Sequence, residues 1–131
     1  MKQELFDKLK IKFPQTFKEL SYIECDDGWF NIIYSLANTI EIGLGDLDPE
    51  MSEQMYAIQI KQKFGTLRVY MSHSDHYIDG AIRMAEYMSA KTCETCGAKS
   101  EGTKSMGGWI SVKCTRCYNK EMKARRLAGA I

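Results

Sequence analysis

Cys93-Glu94-Thr95-Cys96-Gly97 and Cys114-Thr115-Arg116-Cys117 are two C-x-x-C pairs separated by residues 97–113. Two thiolates with two residues between them can grip one edge of a metal ion, because the intervening turn points both sulfurs the same way. A second pair completes a tetrahedron, the geometry that Zn²⁺ takes with cysteine. The gap has the length of a two-stranded hairpin, so the pairs can meet. The spacing therefore predicts one Zn²⁺ held by Cys93, Cys96, Cys114 and Cys117. All four ligands are sulfur and no coordination position stays open, so the ion is expected to be structural. A redox dithiol would use one pair and leave the other idle, and paired disulfides need an oxidising compartment.

Around the pairs, Cys96-Gly97 reads as a zinc knuckle, Gly107-Gly108 as a turn, and Trp109–Lys113 as a strand entering the second pair. Beyond Cys117 the run Tyr118–Leu127 is made of good helix formers. Knuckle, hairpin and a helix that supplies the last ligands make a treble-clef-like module, the favoured reading; the alternative is a zinc ribbon, with a second knuckle in place of the helix. Trp109 is expected to anchor the module's core, since so small a unit has few other large side chains.

Upstream, residues 55–72 change period. Tyr56, Ile58 and Ile60 alternate with Ala57, Gln59 and Lys61; Leu67, Val69 and Met71 alternate with Arg68 and Tyr70. This predicts a β-hairpin turning at Lys63–Thr66, with Ile58 and Ile60 facing the core. Helices are expected on both sides of it. One covers residues 2–13, with Leu5, Leu9 and Phe13 in a stripe, and ends at Pro14. One follows an N-cap at Asp26-Asp27, carries Trp29, Ile32, Ile33, Leu36 and Ile40, and stops near Gly43 and Gly45. One is capped by Ser74 or Asp75 and presents Ile78, Ala81, Ile82, Ala85 and Met88. Between the second helix and the hairpin, Glu41, Asp46, Asp48, Glu50 and Glu53 form an acidic linker in which the Gly and terminal Glu of a calcium loop are misplaced. The reading is an α+β protein. Helices pack on a small antiparallel sheet in residues 1–92, and the four-cysteine zinc module, residues 93–131, packs against them.

Ile58–Tyr70, a helix, Cys-x-x-Cys-Gly, Gly-Gly-Trp and Cys-x-x-Cys, with Gly28-Trp29-Phe30 upstream, make a combination that resembles small uncharacterised proteins of phages and prophages. The likeness covers roughly residues 22–120. It implies a phage-encoded protein working in a bacterial cytoplasm and brings no activity with it.

Composition bounds the partners. The chain's net charge of +1 divides into −4 over residues 1–92 (10 Lys/Arg, 14 Asp/Glu) and +5 over residues 93–131 (8 against 3). Four thiolates on Zn²⁺ reduce the second figure to about +3, still basic. Apolar stretches fall short of the ~20 residues that span a bilayer, and the start, Met1-Lys2-Gln3-Glu4-Leu5, lacks the apolar core of a secretory signal. The expectation is a cytoplasmic protein without membrane contact. The fifth cysteine, Cys25, reads as a small buried hydrophobe.

Two surfaces offer nucleic-acid contacts. The first is the tail: Lys113, Arg116, Lys120, Lys123, Arg125 and Arg126 stand against Glu121 alone, and such a helix can lie along a phosphate backbone or simply remain solvated. The second is the outer face of the hairpin, Lys61, Lys63, Arg68 and Tyr70, which can stack a base or merely be wet. Phe64-Gly65 reads as turn chemistry. His73 and His76, the two histidines, offer a metal-dependent nuclease as the alternative from another class, and no G-x-S-x-G, phosphate loop or H-E-x-x-H is present. The leading expectation is a non-enzymatic accessory protein that binds host nucleic acid or a host protein associated with it. The rival within the binding class is a protein-only inhibitor acting through the acidic residues 41–53.

Overall fold

In the computed structural model, which describes residues 1–129, the alternating segment forms β1 (Ala57–Lys63) and β2 (Thr66–Met71), paired antiparallel with Lys63 opposite Thr66 and Ile60 opposite Val69. Strict alternation breaks at one point. The register shifts between Ala57 and Gln59, so Ala57 and Ile60 are buried while Ile58 is 54 % exposed. Alternation alone would put Ile58 in the core; an irregularity of this kind re-aims the side chains before it. Backbone bonds from Glu24 N to Ile60 O (2.9 Å) and from Gln62 N to Glu24 O (3.0 Å) give β1 a short parallel neighbour on its other edge.

Two longer helices share the hairpin's core, one of them packed on β2 and on the other helix. α3 spans Phe30–Leu44 and α5 spans His76–Ser89; α1 (Gln3–Lys12), α2 (Pro14–Phe17) and α4 (Pro49–Ser52) are shorter. The core joins Ile33, Leu36 and Ile40 of α3, Ile78 and Ala85 of α5, and Ile60, Leu67 and Val69 of the hairpin, with Trp29 fully enclosed. The stripe of α1 is Phe6 and Leu9, continued by Phe13, rather than one including Leu5. These positions lie one turn apart on one helix side, and Phe6 meets Phe17 edge to face at 6.4 Å. Pro14 ends α1 and opens α2 at its first position, where its missing N–H costs nothing.

The caps divide. Asp75 caps α5, accepting from Ile78 N at 2.9 Å. Asp26 makes no such bond: the chain enters α3 through a 3-10 turn at Asp27–Trp29, and the Asp27 carboxylate instead accepts from Lys2 N at 2.8 Å. Gly43 lies inside α3, which Gly45 caps. The acidic segment is not all loop. Glu41 lies in α3 and accepts from Thr16 N at 3.0 Å, and Pro49–Ser52 coil as α4.

After α5 come β3 (Thr103–Met106) and β4 (Trp109–Val112), an antiparallel pair, and α6 (Thr115–Leu127). The molecule is thus α+β, with six α-helices and two small hairpin sheets among the described residues. Val112 of β4 lies in the same core as Trp29. Across the expected boundary at residue 93, Gly28 N donates to Glu94 O at 2.7 Å. On its near side, the Trp29 indole N–H donates to Thr92 O at 2.9 Å. No helix among the described residues is long and apolar enough to cross a membrane.

Candidate metal centre

The first C-x-x-C pair sits in a tight loop. Gly97 N donates to Cys93 O (2.9 Å) and Cys93 N to Ala98 O (2.7 Å), and Gly97 holds φ +82°, a conformation that glycine adopts without strain. The second pair starts α6. Cys114 is its N-cap, its sulfur accepting from Cys117 N at 3.4 Å, and Cys117 lies in the first turn. A knuckle, a hairpin and a helix bearing the last ligand follow in the order of a treble clef, with α6 where a ribbon would have a second knuckle.

The four Sγ atoms lie within 4.8 Å of one another, a cluster that can hold a metal ion, and Cys96 and Cys114 stand 3.8 Å apart. Sulfurs about 2.3 Å from a central ion, arranged tetrahedrally, are about 3.8 Å from each other, so the cluster has the right size. Its thiols differ. Burial opposes ionisation of Cys93, but N–H groups of Cys114, Cys96 and Thr95 outweigh it and bring its pKa to about 7. Burial, and then the neighbouring thiols, push Cys117 up to about 12. Cys93 therefore ionises before Cys117, and a bound cation would draw the remaining protons off.

Behind the sulfurs lies a polar layer that spacing alone does not announce. Glu94, within the knuckle, is buried. Its carboxylate accepts from Ser111 Oγ at 2.9 Å, Gln62 Nε2 at 3.3 Å and Asp26 N at 3.0 Å. It thereby ties the knuckle to β4, β1 and the entry to α3. Gly28 is pressed against the same loop: a Cβ there would lie 2.2 Å from Cys93 O and 2.4 Å from Glu94 O. A carboxylate inside a C-x-x-C and a Gly-Trp upstream are visible in the sequence, but their meeting depends on the tertiary fold. Cys25 is buried as expected, its thiol pushed up to about 12 by burial and then by the Glu94 charge.

The basic residues separate into groups. Lys113 is buried and donates to Thr95 Oγ1 at 2.6 Å, so it braces the metal loop. Arg116, Lys120, Lys123 and Arg126 are exposed on α6, whereas Arg125 pairs with Glu121 at 3.3 Å. Helical spacing puts Arg116, Lys120 and Lys123 on one side. Lys104 of β3 reaches over Tyr118, its Nζ 5.5 Å from the ring centroid. On the hairpin, Lys61 stands opposite Arg68 and Gln59 opposite Tyr70; Lys63 and Tyr70 are exposed, Lys61 and Arg68 half-buried. Trp109, expected as the module's anchor, is 59 % exposed, and Met106 and Val112 fill that role. Alternation along β4 puts Val112 on the side opposite Trp109. His73 and His76 are both exposed, with His73 Nδ1 at 3.2 Å from Gln54 O. Among the described residues no third ligand joins them in a group that could hold a metal.

Comparison with protein-family models, with curated proteins and with solved structures gave no match.

Proposed function

We propose that the four cysteines hold one structural Zn²⁺, and that the ion fixes α6 as a rigid cationic surface for the phosphate backbone of nucleic acid. Four sulfurs fill a tetrahedron and leave no place for water or substrate, which supports an architectural metal in a non-enzymatic protein. The observation that carries the reading is the row Arg116, Lys120 and Lys123 on the exposed side of α6, with Arg126 beside it. The helix contains one acid, Glu121, and that carboxylate is taken by Arg125. A row of cations with no acid to neutralise it suits a polyanion. Holding the helix in place beforehand lowers the ordering cost of binding. Nothing in α6 matches a base-reading pattern, so binding would be independent of sequence. The resemblance to phage proteins supplies the setting: an accessory factor in a bacterial cytoplasm, engaging host nucleic acid or a protein bound to it.

Salt dependence tests this. Removing one phosphate-neutralising cation reduces the slope of log affinity against log salt by about 0.7–0.9. Changing Arg116, Lys120, Lys123 and Arg126 to Gln should weaken binding to random-sequence nucleic acid and flatten that slope, with the metal still bound. If wild-type protein binds no nucleic acid even at low salt, the reading is wrong. The protein-inhibitor reading then takes its place. It draws on Asp46, Asp48, Glu50 and Glu53, all exposed or half-buried and outside the ion pairs found among the described residues.

A further inference from the structure

The solvent side of α3 carries no charge. Asn31, Ser35, Asn38 and Ile42 recur there at three- and four-residue steps, and the helix's one charged side chain, Glu41, accepts from Thr16 N on another side. α5 presents a matching stripe of Tyr77, Ala81, Met84 and Met88. Its own charges, Asp79, Arg83 and Glu86, lie across the helix in a cleft against β2. The two neutral stripes adjoin. They flank a groove floored by Leu36 and Ala85, and at its end the Tyr77 ring closes on α3, where a Cβ on Gly43 would lie 2.5 Å from it. In a chain with 27 % charged residues, the wet side of a helix ordinarily carries Lys and Glu. Loss of charge together with exposed Met and Tyr marks the centre of an interface.

Size, shape and neutrality indicate what covers this face. The groove holds about 280 Å³ and no charged side chain lines it. That is below the about 300–1,000 Å³ of small-molecule sites, and an apolar helix stripe fits it instead. A partner of opposite charge has nothing here to recognise. A second copy needs none: a two-fold contact sets a patch against itself, where like charges would meet, and this patch has no charge to repel its copy. The patch also carries both halves of the fit. Met84 and Met88 make a ridge beside the groove, so a two-fold axis can lay the α5 ridge of each copy in the other's groove as a four-helix bundle. Methionine's unbranched chain adapts to such a slot. Ile42, Tyr77, Met84 and Met88 are each about half to two-thirds exposed. At about 200 Å² for a fully exposed large side chain, they leave about 400 Å² of apolar surface per copy. With Asn31, Ser35 and Asn38 around them, two copies bury more than the about 1,000 Å² that a specific interface needs. A net charge of +1 per chain opposes such pairing only weakly.

We infer that two copies of this chain pair through the α3–α5 face as a two-fold dimer. The pairing is independent of what α6 binds. Sedimentation equilibrium of metal-loaded full-length protein, in reductant and across the micromolar range, is expected to give the mass of two chains at the upper concentrations, with a Tm that rises with concentration. Met84→Glu on α5 and Ile42→Lys on α3 each set a charge in the contact, and each should weaken pairing about 100-fold or more. Both side chains are mostly exposed in the single chain, and Glu and Lys are good helix formers, so the far-ultraviolet circular dichroism of the variants should match wild type. Their Tm should no longer depend on concentration. Ile11→Glu, at an exposed apolar position on α1, should pair as wild type does. A dimer that survives both Met84→Glu and Ile42→Lys overturns the inference, and so does an assembly larger than two, because a two-fold contact closes at two. A wild-type chain that stays single throughout the range also overturns it, and leaves the face to an apolar helix of another protein.

Discussion

Replacing Gly28 by Ala puts a methyl group where two carbonyl groups already stand. The new Cβ would lie 2.2 Å from Cys93 O, 2.4 Å from Glu94 O and 2.5 Å from Glu94 C. These are backbone atoms of the metal loop and no side chain can swing away, so the two segments must part by roughly 1 Å to reach ordinary contact. A shift of that size stretches the 2.7 Å bond from Gly28 N to Glu94 O past any useful length. The steric term is about 1–3 kcal/mol and the missing hydrogen bond about 1 kcal/mol. The expected destabilisation is therefore about 2–4 kcal/mol, several degrees or more in Tm for a domain of this size. Urea unfolding of metal-loaded protein, followed by fluorescence of the enclosed Trp29, measures it. Chelator competition should also show faster metal loss, since the knuckle is displaced. Gly80→Ala is the control: nothing lies within 4 Å of its Cβ, it sits inside α5, and it should gain up to about 1 kcal/mol. A Gly28→Ala protein within about 0.5 kcal/mol of wild type, the scatter of neutral surface changes, would refute the docking of the metal loop on Gly28.

Native mass spectrometry should show one Zn²⁺ per chain, and Cys117→Ser should abolish it and unfold the C-terminal module first, since structural zinc contributes about 10 kcal/mol or more in small modules. Glu94→Gln keeps the shape but replaces one accepting oxygen by an NH2 donor, which faces either Asp26 N or Gln62 Nε2, both donors already; urea titration should show a loss of about 1–3 kcal/mol. Cys25 should contribute a pH dependence. Its pKa rises from 9.0 unfolded to about 12 folded, so the folded state holds the proton more tightly. That stability is fully present below pH 9 and is lost as pH rises toward 12. The fall of the urea midpoint across that window should be shallower in Cys25→Ala than in wild type.

The four ligand positions are legible because C-x-x-C is local chemistry: a turn of fixed length aims both sulfurs, whatever the rest of the chain does. The helix after Cys117 is legible from propensity, and the hairpin from its period. What the sequence withholds depends on which segments meet. Ile58 lies in an alternating run, yet a single register shift before Gln59 turns it outward. Lys113 looks like part of a solvated basic run, but it precedes α6 and its ammonium is drawn to Thr95 under the knuckle. A small module on its own needs a large side chain inside, which points to Trp109; Val112 reaches the core shared with α3 instead, so the module does not need one of its own. Glu94 and Gly28 stand within short motifs, but nothing in those motifs says that the two meet, and their importance comes from lying face to face.

One consequence of the Trp29 contact concerns synthesis rather than stability. The chain leaves the ribosome N-terminus first, and the indole N–H of Trp29 finds its acceptor at Thr92, 63 residues later. Until that stretch has emerged, the largest side chain of the core has a polar atom with only water to satisfy it. The nascent N-terminal part therefore cannot seal around Trp29 early. The last residues of α5 arrive just ahead of Cys93 and Cys96, so the core closes in the same interval in which the first metal ligands appear.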